Sequence, residues 1–173
     1  MFKVSKTNIK NLLIIDGKQH SDNRGYLREL LSEKIIGCKF KFAIVSKSKK
    51  NILRGLHFQN NKPQGKFISV LKGEIFDVAV DCRKNSKTFG KHFKIKLNDK
   101  DNVSIYIPPG FAHGFVSLKK ENIVLYSCTD YRDKKSESGI AWNDPDLNIK
   151  WPIKKPILSF KDILNKSFNF YFS

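Results

Sequence analysis

A chain of 173 residues is long enough for one domain with a real core, and a hydrophobic content of 40% excludes a disordered one. The formal net charge of +17 invites a nucleic-acid reading, but the lysines are spread through every segment and no zinc-finger, helix-turn-helix or RNA-recognition pattern accompanies them, so no nucleic-acid partner is expected. A basic surface attracts a small polyanion such as a nucleotide diphosphate equally well.

Strand signals dominate in chain order. Residues 12–15 are a short apolar run ending at an Asp16-Gly17 turn. Residues 25–31 and 40–45 read as strands, followed by Lys47-Ser48-Lys49-Lys50 as a solvated loop. Strands are predicted over 52–59, 66–71 and 74–81, the last two joined across Lys72-Gly73 as a hairpin. Residues 92–97 alternate cleanly, with His92, Lys94 and Lys96 set against Phe93, Ile95 and Leu97. Residues 104–107 lead into a Pro108-Pro109-Gly110 turn, and 112–118 and 123–131 are further strands. Near the end, Ser159 reads as an N-cap with Asp162 three residues on, which predicts a short helix. Many short strands with Gly/Pro turns predict an all-β fold, a jelly-roll barrel with a short C-terminal helix, and residues 1–173 read as a single domain.

The three cysteines, Cys38, Cys82 and Cys128, are an odd number without metal-ligand spacing. Cys82 and Cys128 fall in apolar runs, where buried free thiols are expected, as suits a reducing cytoplasm. The first residues lack the apolar region of a signal peptide, and nothing approaches transmembrane length. A cytoplasmic protein with no membrane partner is expected.

The string Ile52-Leu53-Arg54-Gly55-Leu56-His57-Phe58-Gln59 sets a positive charge and an ionisable ring among apolar neighbours. Strict alternation would place Arg54, Leu56 and Phe58 on one strand face and His57 on the other. Arg54 lies three residues before His57 and Lys66 nine after it. Those cations favour a neutral imidazole, which a general base requires. His113 follows the Pro-Pro-Gly turn. Two histidines on separate strands raise the question of a metal, but His57-Phe58-Gln59 lacks a second histidine. The residues after it offer Gln64 and Lys66 rather than a glutamate, so neither metal nor other cofactor is expected. Taken alone, Tyr131 reads as a barrel-rim residue, Asp162 as a cap and Asp22-Asn23-Arg24-Gly25 as a plain turn.

Together these segments resemble the dTDP-4-dehydrorhamnose 3,5-epimerase family of cupin-fold nucleotide-sugar enzymes. The likeness spans residues 13–164 and rests chiefly on Asp22-Asn23-Arg24-Gly25, the string around His57, Gln64-Gly65-Lys66, Gly73-Glu74-Ile75-Phe76-Asp77, Pro108-Pro109-Gly110-Phe111-Ala112-His113-Gly114-Phe115 and Trp142-Asn143-Asp144-Pro145. The resemblance implies that His57 is the base and Asp162 its orienting carboxylate. It implies that Tyr131 is the acid on the opposite sugar face and Lys66 the cation beside the developing enolate. Arg24, Glu29, Arg54 and His113 match positions that line the substrate pocket. It further implies a homodimer formed by exchange of N-terminal strands, no cofactor, and a nucleotide-linked 4-keto-6-deoxysugar as substrate, on the way to a bacterial surface polysaccharide. In one place the chain departs from the family: Phe42-Ala43-Ile44 stands where a polar Gln-Asp-Asn stretch is usual. Within the resemblance, a 3-only epimerase and a GDP-linked 4-keto-6-deoxyheptose substrate stay open. A jelly-roll domain that binds a nucleotide sugar without turnover is the rival from another class.

Overall fold

The structure, a computed structural model, describes residues 3–173. Its first part forms β1 (Lys3–Lys6), β2 (Leu13–Asp16), β3 (Gln19–Asp22), β4 (Gly25–Arg28), α1 (Glu33–Ile36) and β5 (Phe42–Lys49). There follow β6 (Leu53–Gln59), β7 (Lys66–Lys72), β8 (Glu74–Asp81), β9 (His92–Asn98) and β10 (Val103–Ile107). The chain closes with β11 (Phe111–Ser117), β12 (Glu121–Cys128), β13 (Glu137–Gly139), α2 (Phe160–Ile163) and α3 (Phe168–Phe172). One sheet runs β1-β2-β10-β7-β12-β5 and the other β13-β6-β11-β8-β9, while β3 and β4 pair only with each other. From β5 onward the chain changes sheet at every step except β8 to β9, which is the winding of the predicted jelly roll.

The two sheets enclose a core of Ile68, Val70, Ile105, Ile107 and Val124 from one side and Ile75, Ala79, Leu97, Phe111 and Phe115 from the other. A second apolar layer lies where Leu56, Phe58, Val78, Val80 and Ala112 meet Ile140, Leu147, Ile149 and Phe168 of the C-terminal segment. The five-stranded sheet is therefore covered on both faces, and every residue of β11 is buried. That is why 111–117 carries no polar alternation. By contrast β9 keeps it: Lys94 and Lys96 are exposed and Leu97 is buried.

Several expected boundaries shift. The strand predicted over 25–31 stops at Arg28, and that over 123–131 stops at Cys128, so Tyr131 lies beyond the strand. Of the lysine run expected as a loop, Lys47, Ser48 and Lys49 are instead the end of β5, with Lys47 and Lys49 exposed and Ser48 buried between them, and only Lys50 lies in the turn that follows. The expected alternation around His57 also fails. Against β11, Arg54 pairs with Phe115 and His57 with His113, so β6 spends one more residue than its partner over the same stretch. The bulge turns Arg54 and His57 to the same side. Its geometry requires glycine: Gly55 has φ +124°, and a Cβ there would lie 2.5 Å from the Gly114 Cα.

The loop after β8 is held by one carboxylate. Asp81, fully buried, accepts two bonds of 2.7 Å from the Arg83 guanidinium and bonds of 2.6 Å from Ser86 and Thr88. Arg83 in turn lies 4.6 Å from the Phe111 ring centre. Burial alone would raise the Asp81 carboxyl, but the bonds from Arg83, Ser86 and Thr88 outweigh it and hold the group at about 2. A depressed carboxylate stabilises the fold above its unfolded value and loses that contribution as pH falls through the folded one. Asp81→Asn is expected to cost about 2 kcal/mol at neutral pH and to flatten the acid limb of the stability curve. Urea melts across the acid range check both.

Candidate active site

One cavity of about 600 Å³ opens at the end of the barrel. Its walls come from Phe42, Ile44 and Ser46 of β5, Arg54 and His57 of β6, Lys66 of β7, Tyr126 and Cys128 of β12, and Asp162 of α2. The bulge in β6 is what lets Arg54 and His57 share it.

The predicted N-cap forms as expected, and it also serves the site. The Ser159 hydroxyl accepts the Asp162 N–H at 3.1 Å and donates to Asp162 Oδ2 at 2.9 Å. The other oxygen, Oδ1, lies 2.5 Å from His57 Nε2. Asp162 is buried. Burial raises its carboxyl, but the bonds to His57 and Ser159 outweigh this and lower it on balance, so the carboxylate is ionised beside the imidazole. His57 Nδ1 has no protein partner among the described residues, and the ring keeps 29% of its surface exposed toward the cavity.

Lys66 faces the same cavity and makes no ion pair among the described residues. Burial lowers its ammonium below the ordinary lysine value, offset in part by the nearby negative Glu137 and Asp77. Arg54 is fixed by Nε on the Ser48 hydroxyl at 3.0 Å and Nη2 on the Lys47 carbonyl at 3.3 Å. Burial pushes the Tyr126 phenol up, which keeps it neutral.

The remaining predicted residues are placed less directly. Tyr131 is not among the residues that line the cavity: it is 62% exposed, with its ring stacked on Phe42, which does line it. His113 is buried behind the wall, its Nε2 2.8 Å from Asp77 Oδ2, and packs beside Tyr126 and Phe115. Asp77 Oδ1 is buried without a hydrogen-bond partner among the described residues. Arg24 and Glu29 lie outside the cavity of their own chain, on and just after the β3–β4 hairpin, where the exposed Arg24 pairs with Asp22.

Sequence reasoning missed a charged group at the mouth. Glu137 accepts from Arg132 at 2.6 Å and from Lys161 at 3.1 Å, and all three line the cavity. Burial would raise the Glu137 carboxyl, but Arg132 and Lys161 lower it. One carboxylate between two cations leaves a net positive rim. No local spacing announces it, because Lys161 is far from the other two in the chain. Among the described residues no group of three or more metal-ligating side chains converges, and no helix is long and apolar enough to cross a membrane. All three cysteines are free, with Cys82 and Cys128 buried and Cys38 half-buried.

Comparison with known proteins places this geometry. The sequence model of dTDP-4-dehydrorhamnose 3,5-epimerase matches residues 6–169. The chain is 45% identical to the dTDP-4-dehydrorhamnose 3,5-epimerase of Salmonella typhimurium, over 94% of this chain and 93% of that one. It is 44% identical to the enzyme of the same name from Methanothermobacter thermautotrophicus, covering 93% and 91%. Among solved structures it is similar to a dTDP-6-deoxy-D-glucose-3,5-epimerase of Legionella pneumophila bound to dTDP-4-keto-L-rhamnose. There the TM-score is 0.94 and the identity 40%, over 98% of this chain and 94% of the other. The barrel, the His57–Asp162 pair and the nearly full-length matches agree, and the chain belongs to the dTDP-4-dehydrorhamnose 3,5-epimerase family of carbohydrate epimerases.

Proposed function

We propose that this protein inverts C3 and C5 of a dTDP-linked 4-keto-6-deoxyhexose in the cytoplasm. The observation that carries the reading is the buried Asp162 carboxylate on one nitrogen of His57, with the Lys66 ammonium, unpaired among the described residues, in the same cavity. A 4-keto group acidifies the hydrogens on both neighbouring carbons. The free nitrogen of His57 takes one of them, and Asp162 fixes the tautomer and supports the imidazolium. Charge then develops on O4, where a pre-organised cation such as Lys66 stabilises it in a site short of water. Tyr131 returns a proton from the other face, and the centre is inverted. Arg54 and the Arg132–Glu137–Lys161 rim supply positive charge for the diphosphate. The relatives named above are named for dTDP-linked sugars, which leaves the GDP-heptose and non-catalytic alternatives without support.

An unfinished surface supports the reading of a homodimer formed by strand exchange. The β3–β4 hairpin pairs with no other strand, and an isolated two-stranded hairpin is marginal in water. Its base is held by Arg28, bonded at 2.6 Å to the Ser69 hydroxyl, while Tyr26 and Leu27 are 60% and 71% exposed. Meanwhile β5 is a sheet edge. Lys47 and Lys49 guard one end of it, but Ile44 and Val45 leave the other end apolar and open. Exchange of hairpins between two copies covers that edge and carries Arg24 and Glu29 to the partner's cavity, whose wall includes Phe42 and Ile44. Tyr26→Ser with Leu27→Ser is expected to raise the dimer dissociation constant at least about a hundredfold. Sedimentation at micromolar concentration reads this, and a monomeric parent protein would sink the exchange reading.

Solvent exchange tests the activity. Purified protein in D2O with dTDP-4-keto-6-deoxyglucose is expected to place deuterium at both C3 and C5, read by NMR. Label at C3 alone makes it a 3-epimerase, and no label at all removes the epimerase reading.

A further inference from the structure

The geometry points to Phe42, which lines the cavity, as a positioning residue that holds the ring of Tyr131 beside the cavity wall, and so sets how often the enolate is protonated on its far face. This rests on the proposed donor role of Tyr131 and goes beyond it. The two rings lie 5.8 Å apart at an interplanar angle of 15°. Phe42 is the register partner of Cys128, the last residue of β12, so the strand pair itself delivers the phenylalanine beside the turn that carries Tyr131. Lys41 Nζ sits 5.4 Å from the Tyr131 ring centre and 2.6 Å from Asp130 Oδ1. The same Asp130 oxygen accepts the Tyr131 N–H at 2.8 Å. The tyrosine backbone is thus tied down, but its side chain is 62% exposed and its hydroxyl makes no hydrogen bond among the described residues. Stacking on Phe42, with the Lys41 charge, is what orders the ring. The glutamine that the family resemblance leads one to expect at position 42 has no such face to offer.

The consequence is a branching ratio. After His57 has taken a proton, the enolate has two fates. His57, whose ring is exposed to solvent and exchanges its proton for a deuteron, can return that deuteron on the same face, which regenerates labelled substrate. Alternatively the Tyr131 O–H breaks, a C–H bond forms on the opposite face, and the phenolate is reprotonated by water. No electrons are exchanged with a co-reactant in either branch. An exposed aromatic side chain changes rotamer in picoseconds to nanoseconds, so the second branch depends on how often the hydroxyl is in place. A stacked aromatic pair weights that population about two- to tenfold.

The test compares the parent protein with Phe42→Ala and Phe42→Tyr in D2O on dTDP-4-keto-6-deoxyglucose. At early times, deuterium in recovered substrate is divided by deuterium in inverted product. The quotient is expected to rise about two- to tenfold in Phe42→Ala and to return toward the parent value in Phe42→Tyr, which keeps a stacking ring. Loss of barrel packing alone would slow both branches together and leave the quotient fixed. Should Phe42→Ala not fold, Phe42→Leu retains volume without a stacking face and is read in its place. An unchanged quotient in the variant lacking the ring overturns the inference while the activity stands. A parent protein that incorporates no deuterium overturns the activity, and the inference with it.

Discussion

Replacing His57 with asparagine is expected to lower kcat by about a hundred- to ten-thousand-fold while leaving the fold and nucleotide binding in place. The ring's surroundings make this a clean exchange. An asparagine amide falls short of the Nε2 position, but the Ser159 hydroxyl still donates to Asp162 Oδ2 and accepts the Asp162 N–H, so the buried carboxylate keeps a partner and α2 keeps its seat. The cations that would hold the diphosphate, Arg54 and the Arg132–Glu137–Lys161 rim, are anchored by other groups. What disappears is a side chain able to accept a proton near neutral pH. Stopped assays of epimerised product, with dTDP binding measured by calorimetry, separate the two effects. Turnover within threefold of the parent, on the order of the scatter among conservative substitutions, would remove His57 from the proton-transfer step.

Lys66→Met is expected to move stability and activity in opposite directions. The ammonium is held in the cavity wall without an ion-pair partner among the described residues, and burial pushes its pKa down. A lysine whose folded value lies below its unfolded one destabilises the native state while it is charged. That penalty fades as pH rises from the folded value toward the ordinary lysine range. Methionine has a similar length and no charge to desolvate, so the variant should melt at a higher temperature than the parent at neutral pH, with the gap closing in alkali. Activity should fall about a hundred- to a thousand-fold, the scale of losing one pre-organised donor to a developing oxyanion. Melts at neutral and alkaline pH alongside kcat provide the check. A variant that is both less stable and fully active would refute the role given to this cation.

The strand content was legible because β9 and β10 alternate or run apolar over short stretches bounded by turns, and the Lys72-Gly73 hairpin announces itself. The jelly roll followed from their number and spacing. Less legible was anything set by what covers a face. β11 is buried on both sides, so its polarity pattern carries no period. The bulge at Gly55 is a property of a strand pair, and a single sequence records only the glycine. His57 and Asp162 were visible as a motif and a cap, but their meeting across 105 positions was implied only by the resemblance. Glu137 and Lys161 went unseen because their contact is made by tertiary packing between β13 and α2. The departure at Phe42 was legible as lost polarity. That it creates an aromatic stack with Tyr131 was not, since the β5–β12 register decides it.

The C-terminal segment does two jobs at once. It carries Asp162 to the dyad, and a few residues later it seats Phe168 in the core, with the Phe168 N–H on Asp144 Oδ2 at 2.7 Å. During synthesis, therefore, the His57–Asp162 pair can form only after residue 162 has left the ribosome and the strap has closed over the outer face of the sheet. On the proposed mechanism an incomplete barrel would have no activity. A single protease cut in the exposed stretch around Lys154 and Lys155 would likewise free both Asp162 and Phe168 from the chain that carries His57, loosening the dyad and one part of the apolar layer in one event.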